Sequence, residues 1–297
     1  MKTSILFFVL LTLTGWTFAE EPGEITNIEV SQGTEDEERV VDIQFDLIGS
    51  GDYYDVYLEA SFDNGVSFTQ VNPREVTGAN DLTPDNNIGI VWDGRISYPE
   101  VDAAETIIRL TATRQVEDVD ENYYRTVKIG DQLWMAENLR VTRYNDQYDI
   151  PAGLNNTDWE NATDGAYAIY PHEGGHYDDG SIEGINSDAE MLEAYGALYN
   201  WYAVDDTRGL CPEGWRVPAD AEWTQLVNYV VGQGYPDEED DTDGAGNALK
   251  SCWQENHDDG SDCDTSEHPR WDSHTTHQGF DQFGFSALPG GIRWGGK

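Results

Sequence analysis

The sequence predicts a mixed fold, with an all-β sandwich over residues 24–114 and an α+β domain over residues 123–297. In the first stretch, short runs of alternating apolar and polar residues have the period of half-buried strands. The second stretch places one amphipathic helix among turns and aromatic residues. A chain of 297 residues has room for two domains, each with its own core.

Residues 1–19 predict a secretory signal peptide. Lys2 gives a positive start, the apolar run Ile5–Leu13 is too short to span a membrane, and Thr17 and Ala19 are small residues before the cleavage point. No later stretch is apolar enough to cross a bilayer. We therefore expect a secreted or cell-surface protein with no transmembrane segment after cleavage.

The chain is strongly acidic, with 58 Asp and Glu against 16 Lys and Arg and a formal charge of −42. Such a surface repels phosphate backbones, so we expect no nucleic-acid partner. The acids suit either a solvating coat or the binding of divalent cations.

Strands in the first domain are predicted from four runs: Val41–Leu47, Val56–Phe62, Ile88–Trp92 and Thr106–Ala112. Asn64-Gly65 predicts a hairpin turn that leads into Val66–Val71. Short strands broken by Gly, Pro and Asn are typical of a sandwich. Phe62–Phe68 and Val91–Asp93 resemble segments of fibronectin type III or immunoglobulin-like modules of bacterial surface proteins, which implies a spacer or an interaction domain.

Residues 115–122 are acidic without apolar periodicity, which predicts a linker. A hairpin should follow, with Gly130-Asp131 as its turn. Residues 144–188 are rich in loop-forming residues around the strand-like Ala166–Tyr170, and the aromatic segment Tyr195–Val204 is expected to be buried, part strand and part helix.

The clearest helix follows Pro218. Apolar residues recur at helical spacing from Trp223 through Leu226 to Val230, with Asp220 as the expected N-cap and Gly232 as the end of the run.

Four segments of the second domain can be taken together: Val127–Leu139, Tyr195–Trp201, Leu210–Pro218 and Gly284–Gly291. In this order they resemble the Fibrobacter succinogenes major paralogous domain. The resemblance covers residues 123–297 and implies an extracellular or surface protein of uncharacterised molecular activity. Arg216–Trp223 also resembles a segment of formylglycine-generating enzymes, which implies a C-type lectin-like core. The catalytic cysteine pair of those enzymes has no counterpart here.

Members of the family continue beyond the Gly-Gly-x-Arg stretch, here Gly290–Arg293, to a cysteine-containing strand. This sequence stops at Lys297, so we expect a domain that is incomplete at its C-terminus. Cys252 and Cys263 lie in an irregular segment of an exported protein, which predicts a disulfide between them. The lectin-like resemblance implies that Cys211 pairs with the missing strand, and the alternative is a buried free thiol.

Metal-binding residues are weakly indicated. Asp237–Gly244 offers oxygen ligands for calcium, but Lys250 stands where an EF-hand needs its last Glu, so a solvated acidic loop is the alternative. The histidines near the cysteines lack zinc-ligand spacing; they are His257, His268, His274 and His277. The sequence thus predicts no cofactor, with calcium as the exception to test.

No nucleophile elbow, phosphate loop or dinucleotide fingerprint is present, so the sequence assigns no catalytic residue and predicts a non-enzymatic protein. Trp271 and Trp294 lie in polar or glycine-rich surroundings and are the candidates for stacking on a sugar, although such side chains more often belong to a core or a lid. They are preferred to three other tryptophans, Trp201, Trp215 and Trp223.

The sequence therefore favours an exported binding or adhesion module for a glycan or a surface protein. An enzyme related to formylglycine-generating enzymes and a structural envelope component are the alternatives.

Overall fold

A computed structural model describes residues 23–32, 40–95, 106–171, 182, 184–237, 244–255, 263 and 265–293. These residues are mostly strand, in several small antiparallel sheets with a few short helices. Contacts divide the chain into two compact units. The first comprises residues up to Gln115 with Gln282–Gly284, and the second comprises Val116–Asp281 and the residues from Phe285 onward.

The first unit is a two-sheet sandwich. One sheet has the order β1-β2-β6-β5 and the other has the order β4-β3-β7, and all pairs are antiparallel. Apolar side chains from both sheets form a single buried cluster. The strands are β1 Glu24–Gln32, β2 Val40–Ile48, β3 Tyr54–Ser61, β4 Thr69–Gln70, β5 Val76–Thr77, β6 Asp85–Asp93 and β7 Ile107–Arg114.

The predicted strand Val41–Leu47 is confirmed, because its alternate side chains are buried in the sandwich. The predicted hairpin is also present, since β3 pairs with β4 and both Asn64 and Gly65 have positive φ. Its loop is longer than the sequence indicates, and Val66 is exposed rather than inward. The Asp63 carboxylate accepts hydrogen bonds from the backbone N–H groups of Val66 and Ser67. These bonds fix residues 63–67 as a loop, so the second strand starts later.

Asp63 gives this loop a pH dependence. Its carboxylate accepts from the Ser67 hydroxyl and backbone, the Ser61 hydroxyl and the Val66 backbone, and these bonds lower its pKa to about 2. Because the folded pKa lies below the unfolded one, the stabilisation is complete above the unfolded pKa and is lost as pH falls toward the folded one. We expect urea midpoints of the wild type to fall more steeply than those of Asp63→Asn between about pH 5 and pH 2. Parallel curves for the two proteins would contradict this.

The second unit is built from short elements around several small buried clusters. Its strands pair two by two as β8–β9, β10–β11 and β12–β13. They are β8 Val116–Glu117, β9 Tyr123–Tyr124, β10 Thr126–Ile129, β11 Gln132–Met135, β12 Tyr167–Ala168 and β13 Leu198–Tyr199. The helices are α1 Asn156–Glu160, α2 Asp188–Tyr195, α3 Trp201–Val204, α4 Asp220–Gly232 and α5 Ala245–Leu249.

The stretch predicted as an acidic linker is instead largely a hairpin, β8–β9. Asp118 is buried in its loop and accepts from the backbone N–H groups of Asp120 and Asn122 and from the Tyr124 hydroxyl, the last at 2.6 Å. A buried carboxylate is tolerated when donors surround it. At least one acidic residue of this stretch, Asp118, therefore stabilises the hairpin.

The hairpin β10–β11 is confirmed, with Gly130 at φ 60° in its two-residue turn. Helix α4 is also confirmed, but its N-cap is Ala219 and not Asp220. The Glu222 side chain caps the helix by accepting from the Ala219 N–H at 2.9 Å, which is half of a capping box. Asp220 becomes the first helical residue, where a negative charge still suits the helix dipole.

Two short helices lie in stretches that the sequence leaves irregular. Asn155 caps α1 by accepting from the Asp158 N–H, and α5 follows Gly244. The predicted strand Ala166–Tyr170 shortens to β12. Within the described ranges, none of the helices combines the length and the apolarity that a membrane span requires.

Candidate functional site

Three aromatic rings of the second unit form the candidate site, which we call the aromatic cluster. Trp134 comes from β11, Trp223 from the first turn of α4, and Phe285 from the C-terminal segment. The two indole centroids are 4.8 Å apart with a 40° tilt. Phe285 meets both edge-on, at 5.7 Å from Trp134 and 6.2 Å from Trp223. Each ring thus has two aromatic neighbours, an arrangement that fixes its orientation.

The hairpin β10–β11 packs against α4 and so positions the cluster. The Gln132 Nε2 donates to the Glu222 carbonyl at 3.1 Å. Gly130 lies so close to Tyr229 that a Cβ there would be 2.7 Å from the ring. Leu226, further along the helix, is fully buried. Since alternate residues of a strand share a face, Gln132 and Trp134 both point to the helix.

The rings of the aromatic cluster differ in their exposure to solvent. Trp134 is only 8 % exposed, whereas Trp223 is 44 % exposed. An indole that is fixed by neighbouring rings while much of it remains in solvent offers apolar area at little cost in side-chain entropy. The aromatic cluster is therefore suited to stacking against a ligand.

Polar groups flank the cluster. Arg216 forms an ion pair with Glu222 while its own side chain stays 72 % exposed. Two buried atoms, Trp134 Nε1 and Gln132 Oε1, have no hydrogen-bond partner among the described residues. Buried polar groups in native proteins are nearly always paired, so each of these atoms is an exception to the usual pattern.

Trp271, one of the two tryptophans that the sequence favours, is half-buried. Its indole N–H donates to the Ala287 carbonyl at 2.9 Å, and the Lys250 ammonium lies 4.2 Å from its ring centroid. Lys250 also donates to the His277 carbonyl, and burial lowers its pKa. Trp271 is thus held within the fold, with Lys250 against its ring.

Other tryptophans are more exposed than Trp271. Trp201 is 59 % exposed, although the rest of the segment Tyr195–Val204 is buried or half-buried as expected, and Trp253 is also exposed. The sequence favours Trp271 over Trp223 as a stacking residue. In the structure, however, Trp223 is the more exposed of the two.

Some predicted positions lie outside the described residues. They are Trp294, His257, residues 238–243 of the acidic loop and the predicted signal peptide, residues 1–19. In the part of the chain that the structure describes, no group of three or more His, Cys, Asp or Glu side chains is placed to hold a metal ion.

Three of the predicted histidines, His268, His274 and His277, lie within the described residues and make structural contacts. The rings of His274 and His277 stack at 4.4 Å, and His274 Nδ1 accepts from the His277 N–H at 3.1 Å. His268 Nδ1 lies 2.5 Å from the Tyr195 hydroxyl, which also donates to the Arg270 carbonyl. These rings hold loops together.

The predicted disulfide between Cys252 and Cys263 is present. Cys211 has a free thiol, and burial raises its pKa although the Val217 N–H acts in the opposite direction. Since the thiolate is the nucleophile, a thiol with a raised pKa is poorly reactive at neutral pH.

The comparisons with known proteins agree with the resemblance of the second domain. No curated protein and no solved structure matches the chain. The family model of the Fibrobacter succinogenes major domain matches residues 127–297. This range contains β11, α4 and Phe285, and hence every ring of the aromatic cluster. Because the match spans more than half of the chain, the protein belongs to the Fibrobacter succinogenes major domain family.

Proposed function

We propose that this protein is an exported, non-enzymatic binding module, secreted or held at the cell surface, that binds a glycan or a surface protein. The observation that carries the proposal is Trp223, an exposed indole fixed by two other rings. Rigid aromatic side chains at a surface are enriched in binding sites because they contribute area and lose little entropy.

Sequence features support export. Residues 1–19 have the pattern of a signal peptide, and the net charge of −42 suits a protein that stays soluble outside the cell. The resemblance of Arg216–Trp223 to formylglycine-generating enzymes supports a C-type lectin-like core for the second unit.

The cysteines argue against the enzymatic alternative. An enzyme of the formylglycine-generating type needs a reactive cysteine pair. Here Cys252 and Cys263 are joined to each other, and burial raises the pKa of Cys211. A non-enzymatic role agrees better with this chemistry.

Thiol labelling of the native secreted protein tests this step. Because burial raises its pKa, we expect Cys211 to react slowly with iodoacetamide at pH 7 and the rate to keep rising at alkaline pH. After unfolding without reductant, one thiol per chain should label. A rapidly labelled native thiol at neutral pH would favour the enzyme.

Ligand screening tests the function itself. We expect the mature protein to bind a component of a glycan array or a purified surface protein. Failure on both, with the protein retained in cell-wall fractions, would favour a structural envelope component.

A further inference from the structure

The aromatic cluster carries more information than the presence of a binding site, because its surroundings restrict the ligand. The exposed part of Trp223 is a flat, apolar surface whose orientation is set by Trp134 and Phe285. A ligand that uses it needs a flat apolar face of its own.

Beside this surface stand planar polar side chains. Arg216 and Glu222 are paired with each other, and Gln132 is bonded to the Glu222 carbonyl. The guanidinium of Arg216 and the carboxylate of Glu222 offer donors and acceptors in fixed geometry, while Gln132 holds the Glu222 backbone in place. A ligand with hydroxyl groups around an apolar face can use both kinds of surface.

The charges near Trp223 favour an uncharged ligand. The formal charge of −42 repels anions over the whole chain. Arg216 and Glu222 form an ion pair next to Trp223 in sequence, so their opposite charges largely cancel. The complementary ligand is therefore uncharged.

Two unpaired buried atoms belong to the strand that carries Trp134. Trp134 Nε1 and Gln132 Oε1 lack partners among the described residues, and both side chains belong to the face of β11 that meets α4. Side chains that break the rule of polar satisfaction concentrate at functional sites.

We propose that Trp223 is the stacking platform for a neutral saccharide ring, with Arg216 and Glu222 bonding its hydroxyl groups. Trp134 and Phe285 act as positioning residues for the platform. This inference rests on the proposed binding function and names both its site and its ligand class. A pyranose ring has the required apolar C–H face and a hydroxyl edge.

The experiment compares full-length mature protein with three variants. An array of neutral glucan, xylan and mannan oligosaccharides and of uronic-acid oligosaccharides identifies the tightest probe, which is then titrated by calorimetry. We expect Trp223→Ala to weaken binding about tenfold or more, and Trp223→Phe to weaken it less, since a smaller ring keeps part of the stacking. Arg216→Ala removes an exposed rim group and should weaken binding by roughly two- to tenfold.

Trp201→Ala is the matched control, because Trp201 is another exposed indole of the same unit. It should bind as the wild type does. Thermal melts show whether each variant is folded, and Trp223→Phe with Arg216→Ala keeps the test valid if Trp223→Ala unfolds.

The outcomes separate the inference from the proposed function. If the wild type binds a neutral glycan and all variants bind equally well, the site is wrong while the binding function stands. If it binds only acidic glycans, the ligand class is wrong. If it binds no glycan, the inference fails, and the screen against surface proteins then decides the proposed function.

Discussion

Replacement of Gly279 by alanine is expected to destabilise the second unit by about 4 kcal/mol. A Cβ at this position would lie 2.0 Å from the Ser251 carbonyl oxygen and 2.7 Å from that of Lys250. Both are backbone atoms, so the added methyl group cannot be relieved by a side-chain rotation. The strand-like segment must move, although Ser251 donates to the Ala287 carbonyl and Lys250 accepts from the Asp281 N–H.

Gly246→Ala is the matched control for this substitution. Gly246 lies in α5, and nothing stands within 4 Å of a Cβ built on it. Alanine should stabilise the helix by about 0.5–1 kcal/mol, because glycine loses more backbone entropy on folding. Urea unfolding measures both. A Gly279→Ala protein that unfolds within about 1 kcal/mol of the wild type would contradict the close approach.

Removal of the Cys252–Cys263 disulfide is expected to have the next largest effect. The bond closes a loop across a sequence separation of 11, for which the loss of chain entropy in the unfolded state corresponds to about 2–4 kcal/mol. Gln254, beside Cys252, is 1 % exposed and donates to the Gly279 carbonyl. Opening the loop is therefore expected to weaken the packing of Gln254 against Gly279 as well.

The double variant Cys252→Ala with Cys263→Ala tests this, and the wild type in reductant should lose a similar amount of stability. Cys211→Ala is the control and should change the urea midpoint much less, since its thiol is free. If alkylation of the unfolded, unreduced protein modifies three cysteines, the disulfide is absent.

Local rules explain the elements that the sequence predicts correctly. Val41–Leu47, the turn at Gly130 and the periodicity from Leu226 to Val230 depend on residues a few positions apart. These elements form in any tertiary arrangement that buries their apolar face, so the sequence alone predicts them.

Distant partners explain what the sequence misses. Gln254 and Asn247 are buried, and each donates to a backbone carbonyl more than 20 residues away. The segment around them is polar in sequence, yet these side chains belong to the interior of the second unit. Trp223 has the spacing of an inward residue, but it lies in the first turn of α4, where it packs on Trp134 and still remains exposed. The periodicity of apolar residues predicts which face of a helix packs on the protein. It does not predict how many turns of that face are covered.

The packing of β10–β11 on α4 has a consequence for the order of folding. Gln132 and its partner Glu222 are 90 residues apart, Tyr195 and Arg270 are 75 apart, and Arg293 reaches Leu154 across 139. Contacts between such distant residues slow folding, because a long loop must close before they form. A chain synthesised from its N-terminus presents the hairpin and Trp134 long before α4 and Phe285 exist. The second unit therefore completes these contacts only after Arg293 has been made, and until then its aromatic side chains stay open to solvent and to chaperones.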